Sequence, residues 1–142
     1  MQSYSKSKVT FRLELFVDDM EASVDFYGRV LGFALGQQQL DGYTPLRNGS
    51  LCLSLNRRAN LPDDHPVQAM GNERLGRGIE LVLEVHDIEA VYQHVRVANW
   101  PLAAELQSQP WGLTDFRVID PDGYYWRITT RKRQKAESAP RL

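Results

Sequence analysis

The sequence is short of several things, and each shortage excludes something. It has one cysteine, Cys52, so no intrachain disulfide can form and a reducing cytoplasm is the expected compartment. No apolar run approaches the roughly 20 residues of a membrane-spanning helix. The opening MQSYSKSKVTF lacks the apolar core of a signal peptide. No membrane partner is therefore expected. Charge of either sign is not in excess: 17 Lys and Arg stand against 18 Asp and Glu, a formal net charge of -1, which gives no reason to expect a polyanion. The basic ending RKRQKAESAPRL has no aromatic residues among its charges and no binding motif beside it, so no nucleic-acid partner is expected. Histidine is scarce. His65 falls in a loop, His86 at the end of an expected strand and His94 on an expected helix, none with a second metal ligand in view.

What is present is ordinary globular material, 42% hydrophobic and 25% charged over 142 residues. That suits one domain or two small modules sharing a core. Phe11–Asp19 alternates apolar and polar, as a half-buried strand does. Asp19 can cap a helix carrying Met20, Val24, Tyr27 and Leu31 at helical spacing, with Gly32 as its stop. Strands are expected at Phe33–Leu40, Tyr43–Arg47 and Ser50–Asn56, the last two joined by an Asn48-Gly49 hairpin turn. The order then repeats. Gly78–Asp87 alternates, Asp87 caps a helix bearing Ile88, Val91, Tyr92 and Val95, and strands follow at Leu102–Gln107, Thr114–Ile119 and Tyr124–Thr130. Asp120-Pro121-Asp122-Gly123 forms the final turn.

The sequence thus predicts an α+β fold of two βαβββ modules, spanning 8–56 and 78–131. A linker or lid at 57–77 joins them and a flexible basic tail occupies 132–142. In each module the helix is expected to cover one sheet face, packing on Phe11, Leu13 and Leu15; Leu51, Leu53 and Leu55; Ile79, Leu81 and Leu83; and Trp126 and Ile128. The opposite faces carry Arg12, Glu14 and Phe16; Ser50, Cys52 and Ser54; Glu80, Val82 and Glu84; and Tyr125, Arg127 and Thr129. Together they are expected to form a partly closed, mixed-sheet barrel with a concave cleft, the default place for a small molecule. Phe16 and Tyr125 are its expected aromatics. Trp111 either stacks on a flat ligand or closes the core. Cys52 has no histidine placed to activate it as a nucleophile.

This organisation resembles the vicinal oxygen chelate superfamily, which includes glyoxalases, extradiol dioxygenases and bleomycin-resistance proteins. The resemblance is carried by VDDMEASVDFYGRVLGF, GIELVLEVHDIEA and PWGLTDFRVIDPDGYYWRI, and it covers the chain to about Arg131. It implies a homodimer. In the metal-dependent members it further implies a divalent cation held by His, Gln or Glu from the first, fourth, fifth and eighth strands. The matching positions here are Arg12, Cys52, Glu80 and Arg127, of which only Glu80 is a usual ligand, with Arg127 standing where the metal-binding glutamate would be. The expectation is therefore no metal and no other cofactor. Arg12, Glu80 and Arg127 would form an ion-pair network, and Arg12, Glu14, Phe16, Cys52, Glu80, Trp111, Tyr125 and Arg127 would line a ligand site. Two alternatives stay open, both enzymatic and neither with assigned catalytic residues beyond these. One is a glyoxalase-like lyase or isomerase in which Arg12 and Arg127 replace the metal, with Glu80 or Glu14 as base. The other is a metal-dependent lyase or dioxygenase.

Overall fold

The structure, a computed structural model, describes residues 8–131. The expected basic tail at 132–142 and the first seven residues lie outside the described residues. What is described falls into two compact units that divide after Asn72.

The first unit runs β1 (Leu13–Val17), α1 (Met20–Asp25), β2 (Ala34–Leu35), β3 (Thr44–Asn48) and β4 (Leu51–Arg57). Its four strands lie in the order β1-β4-β3-β2, with β1 parallel to β4 and the other pairs antiparallel. Asp19 caps α1 as expected, its Oδ1 accepting from the N–H of Ala22 at 3.2 Å. The helix does not continue to Leu31 in one geometry. It widens into a π-helical turn over Phe26–Val30, and Phe26, Tyr27, Val30 and Leu31 are all buried there. Tyr27 meets Phe26 and Phe33 edge-on, with ring centroids 4.8 and 5.7 Å away.

The second unit repeats the order: β5 (Leu81–Val85), α2 (Ile88–Val97), β6 (Ala104–Ser108), β7 (Thr114–Ile119) and β8 (Tyr125–Thr130). Its sheet is ordered β5-β8-β7-β6, again with the first and last strands parallel. Asp87 caps α2 through the N–H of Ala90 at 3.1 Å. Asn99 follows the helix at φ 61°, the left-handed position that asparagine tolerates. Ile88, Tyr92 and Val95 bury the helix face, and Phe116, Val118, Trp126 and Ile128 supply the sheet side of the same core. Both sheets are four-stranded and mixed, and neither closes on itself.

Two expectations need correction. The strand placed at Phe33–Leu40 is only two residues long. Its next partner on β3 would be Pro45, which has no N–H to donate; Gly36 still donates to the Pro45 carbonyl at 2.7 Å, but the return bond cannot form and the ladder stops. Phe11 and Ile79, placed under the helices by the alternation, are 78% and 56% exposed. Each lies two residues before its strand begins, in front of the covered part of the sheet. Leu15, Leu53, Leu55 and Leu83 are buried as expected.

The segment between the units is fastened at both ends. Arg58 pairs with Asp18 at 2.7 Å and donates to the Gln68 side chain at 2.6 Å, all within the first unit. Arg74 lies over Gly123 and donates to its carbonyl at 3.0 Å. Gly76, at φ 79°, lies so close to the Tyr124 ring that a Cβ would come within 2.6 Å of it. The turn they grip is organised by Asp120, which is 4% exposed. Its Oδ1 accepts from the N–H groups of Asp122, Gly123 and Tyr124 at 2.9, 2.9 and 2.8 Å. Asp120→Ala removes the side-chain acceptor that those three donors share, Gly123 keeping the Asp120 backbone carbonyl at 3.1 Å, and is expected to cost about 2–3 kcal/mol of stability. Urea denaturation of the variant beside the parent checks this; an unchanged midpoint would mean that water replaces the carboxylate without loss.

Candidate functional site

The antiparallel hairpin across the Asp120–Gly123 turn dictates who stands beside whom. Ile119 lies opposite Tyr125, Arg117 opposite Arg127, and Asp115 opposite Thr129; β5 adds Val82 beside Arg127 and Glu84 beside Thr129. Side chains alternate along a strand, so these residues share one face of the second sheet, and Phe116, Val118, Trp126 and Ile128 take the core face. Two guanidinium groups therefore stand directly opposite one another, which costs energy unless counter-charges are near.

The counter-charges are Asp115 and Glu80. Asp115 is 1% exposed and lies 3.3 Å from Nη2 of Arg117. Its other oxygen accepts from Gln109 at 2.9 Å. Glu80 reaches both arginines, Oε2 at 3.5 Å from Arg117 Nη1 and Oε1 at 3.5 Å from Arg127 Nη2. The Tyr125 hydroxyl accepts from Arg117 Nη1, also at 3.5 Å. Arg117 is held above its ordinary arginine value, first by the hydrogen bond to Tyr125; partial burial opposes this and Asp115 adds to it. A phenol hydroxyl carries no net charge, so Asp115 is the counter-ion. The Nε atoms of both arginines are buried and have no acceptor among the described residues.

Glu80 does bridge two arginines, but they are Arg117 and Arg127. Arg12 lies in the first unit with a side chain 61% exposed and pairs with Glu14 at 2.7 Å. Arg12 thus has its described ion pair inside the first unit, and Glu80 and Arg127 have theirs inside the second. Sequence reasoning missed Arg117 and Asp115, although β7 was placed with the observed ends. Counting back from the turn through the hairpin would have set Arg117 opposite Arg127.

The corresponding face of the first sheet is polar and lightly tied. Glu14 accepts from Asn56 at 3.3 Å besides pairing with Arg12. The Tyr43 hydroxyl and Ser54 lie 2.8 Å apart. Phe16 is half-buried in the row of Asn56, and Cys52 is a half-buried free thiol opposite Arg47. Trp111 is 55% exposed at the tip of the β6–β7 hairpin, where Gly112 closes a turn by donating to Gln109 at 2.9 Å; it does not close the core.

The residues at the four expected ligand positions do not fit a divalent cation. Among the described residues no three of His, Cys, Asp and Glu gather to hold an ion, and guanidinium groups at positions 12 and 127 would repel one. An open groove of about 590 Å³ lies in the first unit between α1 and β2, lined among others by Met20, Val24, Phe33 and Leu35. It contains no candidate residue, and its Asp25 and Arg29 are paired with each other at 2.9 Å. The charged face of the second sheet is the better candidate because it holds under-coordinated donors.

The two carboxylates of that face should respond differently to neutralisation. Asp115→Asn strips a buried counter-ion from Arg117 and is expected to cost about 1–3 kcal/mol. Glu80→Gln removes a long, half-exposed pair and should cost about 1 kcal/mol or less. Chemical denaturation of both variants checks the order; a larger loss for Glu80→Gln would reverse the roles assigned to them.

Known proteins resemble the chain in sequence and in fold. An uncharacterized protein of Mycobacterium bovis is 27% identical over 124 residues, covering 80% of this chain and 78% of its own length. The crystal structure of TioX from Micromonospora sp. ML1 superposes with a TM-score of 0.71 at 25% identity, over 87% of this chain and 100% of that one. A glyoxalase/bleomycin resistance protein/dioxygenase from Nocardioides gives 0.70 at 21% identity, over 96% and 91%, a likeness of fold. Residues 10–128 match the family described as the glyoxalase/bleomycin resistance protein/dioxygenase superfamily, and with both βαβββ units in place the chain belongs to that superfamily.

Proposed function

We propose that this member of the superfamily binds a small molecule without a resident metal ion, and that the charged face of its second sheet forms part of the ligand site. The observation that carries the reading is Arg127. It stands at a position where metal-dependent relatives are expected to place a ligand, and it presents a half-buried guanidinium whose one ion pair among the described residues is the 3.5 Å contact to Glu80. Such a group suits an anionic ligand and opposes a cation. Tyr125 supplies an aromatic wall beside it. Glu14, Phe16 and Cys52, half-buried on the polar face of the first sheet, belong to the same reading, as does exposed Trp111 as a stacking surface. Arg12 is exposed and occupied by Glu14, so the geometry offers no specific support for a lyase that uses Arg12 and Arg127 together. Native mass spectrometry of the purified protein, with elemental analysis of the same sample, tests the reading. The expected result is a small organic mass released on denaturation and no stoichiometric zinc, nickel, manganese or iron. A stoichiometric metal ion surviving dialysis would overturn it.

A homodimer in the cytoplasm is part of the proposal. β1 and β5 each form one of the two edges of their sheets, and Val9, Phe11 and Ile79 carry exposed apolar side chains next to them. Edge strands with apolar neighbours invite a covering chain. No helix among the described residues is long and apolar enough to cross a membrane, and the lone thiol of Cys52 suits a reducing compartment. Light scattering at micromolar concentration is expected to give twice the chain mass of 16.3 kDa, and Phe11→Ser is expected to shift the protein toward monomer. A monomer mass for the parent would count against the dimer.

A further inference from the structure

We propose that Arg117 and Arg127 form a two-guanidinium clamp for the carboxylate of a small apolar acid, and that Glu80 is the internal occupant which this carboxylate displaces. The inference rests on the reading of the chain as a small-molecule binder and names the chemical class of its ligand.

The clamp is assembled but loosely filled. Charge-assisted hydrogen bonds close to about 2.7–2.9 Å, and Glu80 stops at 3.5 Å from each arginine. Its two oxygens are shared one to each guanidinium, so the geometry already accommodates a carboxylate and leaves room for a closer one. The two Nε donors are buried without acceptors. Arg117 is the fixed arm, tethered by buried Asp115, while Arg127 pairs with Glu80 alone among the described residues. The occupant is also free to leave. Glu80 precedes β5, its side chain is 38% exposed, and it follows Gly76 and Gly78, both at positive φ. Withdrawing it breaks no strand ladder. Exchange preserves neutrality: the incoming carboxylate replaces Glu80 between the arginines, Asp115 stays, and Glu80 is solvated. The surroundings set the body of the ligand. Val82, 44% exposed, stands beside Arg127 in the same row of the sheet, and Tyr125 and Ile119 form the adjacent row. An acid with an apolar portion gains contacts there that acetate cannot make.

The test is titration of benzoate, with acetate and benzamide as controls, at constant ionic strength into the full chain, followed by amide chemical shifts. Benzoate is expected to bind more tightly than acetate, benzamide should not bind, and the shifts should centre on β7 and β8. Glu80→Gln removes the internal competitor and is expected to tighten benzoate at least about tenfold. Arg127→Gln should abolish binding. If that variant does not fold, Arg127→Lys serves instead; it keeps the charge, loses the fork, and is expected to lose most of the affinity. Equal benzoate affinity in the parent and Glu80→Gln, or parent-like affinity in either Arg127 variant, would overturn the clamp. The mass measurement described above reads the binding function independently, so a co-purified molecule there combined with no benzoate effect here rejects the clamp alone.

Discussion

In each unit the first and second strands lie at opposite edges of the sheet, and strands so far apart cannot be joined by a tight turn. That constraint organises the rest. The chain must leave the sheet and pass over one face before returning, and α1 and α2 are the segments that make the passage. Because the helix lies on one face, that face becomes the core. Leucines gather there in the first unit; in the second, Phe116, Val118, Trp126 and Ile128 do. Among the described residues the opposite face has no covering element in its own unit, and polar and charged side chains stand there in rows.

The hairpin that completes the second sheet brings the two arginines together. A register fixed by the Asp120 turn puts Arg117 against Arg127 whether or not the pairing is favourable. The fold then carries its own remedy, a buried carboxylate at Asp115 and a looser one at Glu80. Like charges placed side by side in a strand pair weaken a sheet, and these two carboxylates offset that cost. The first sheet lacks such a pair: Arg12 projects before β1 begins and finds Glu14 on its own strand.

Much of the fold was legible from local signals. Alternation, the Asp19 and Asp87 caps and the two turn motifs each belong to a few consecutive residues, and they placed both helix starts and nearly all the strands. The misses were tertiary. The shortness of β2 depends on Pro45 lying opposite Gly36, a pairing that no local pattern shows. The exposure of Phe11 and Ile79 depends on where the helix cover ends. The π-helical turn over Phe26–Val30 has no local signal that distinguishes it from α-helix. The site was half legible for the same reason. Glu80, Tyr125 and Arg127 could be assigned a face from their own strand, whereas Arg117 became a partner only once two strands were set in register.

The connection between the units shows how this architecture can vary. Arg58 ties its near end to the first unit, and Arg74 with Gly76 ties its far end to the second, leaving Met70, Gly71 and Asn72 as the short stretch across which one unit gives way to the next. Each unit thus keeps its own fastening. Residues gained or lost between those fastenings fall outside every strand and helix of either unit. The join is therefore where the chain can change in length, while each half keeps its own core and its own chemistry on the opposite face.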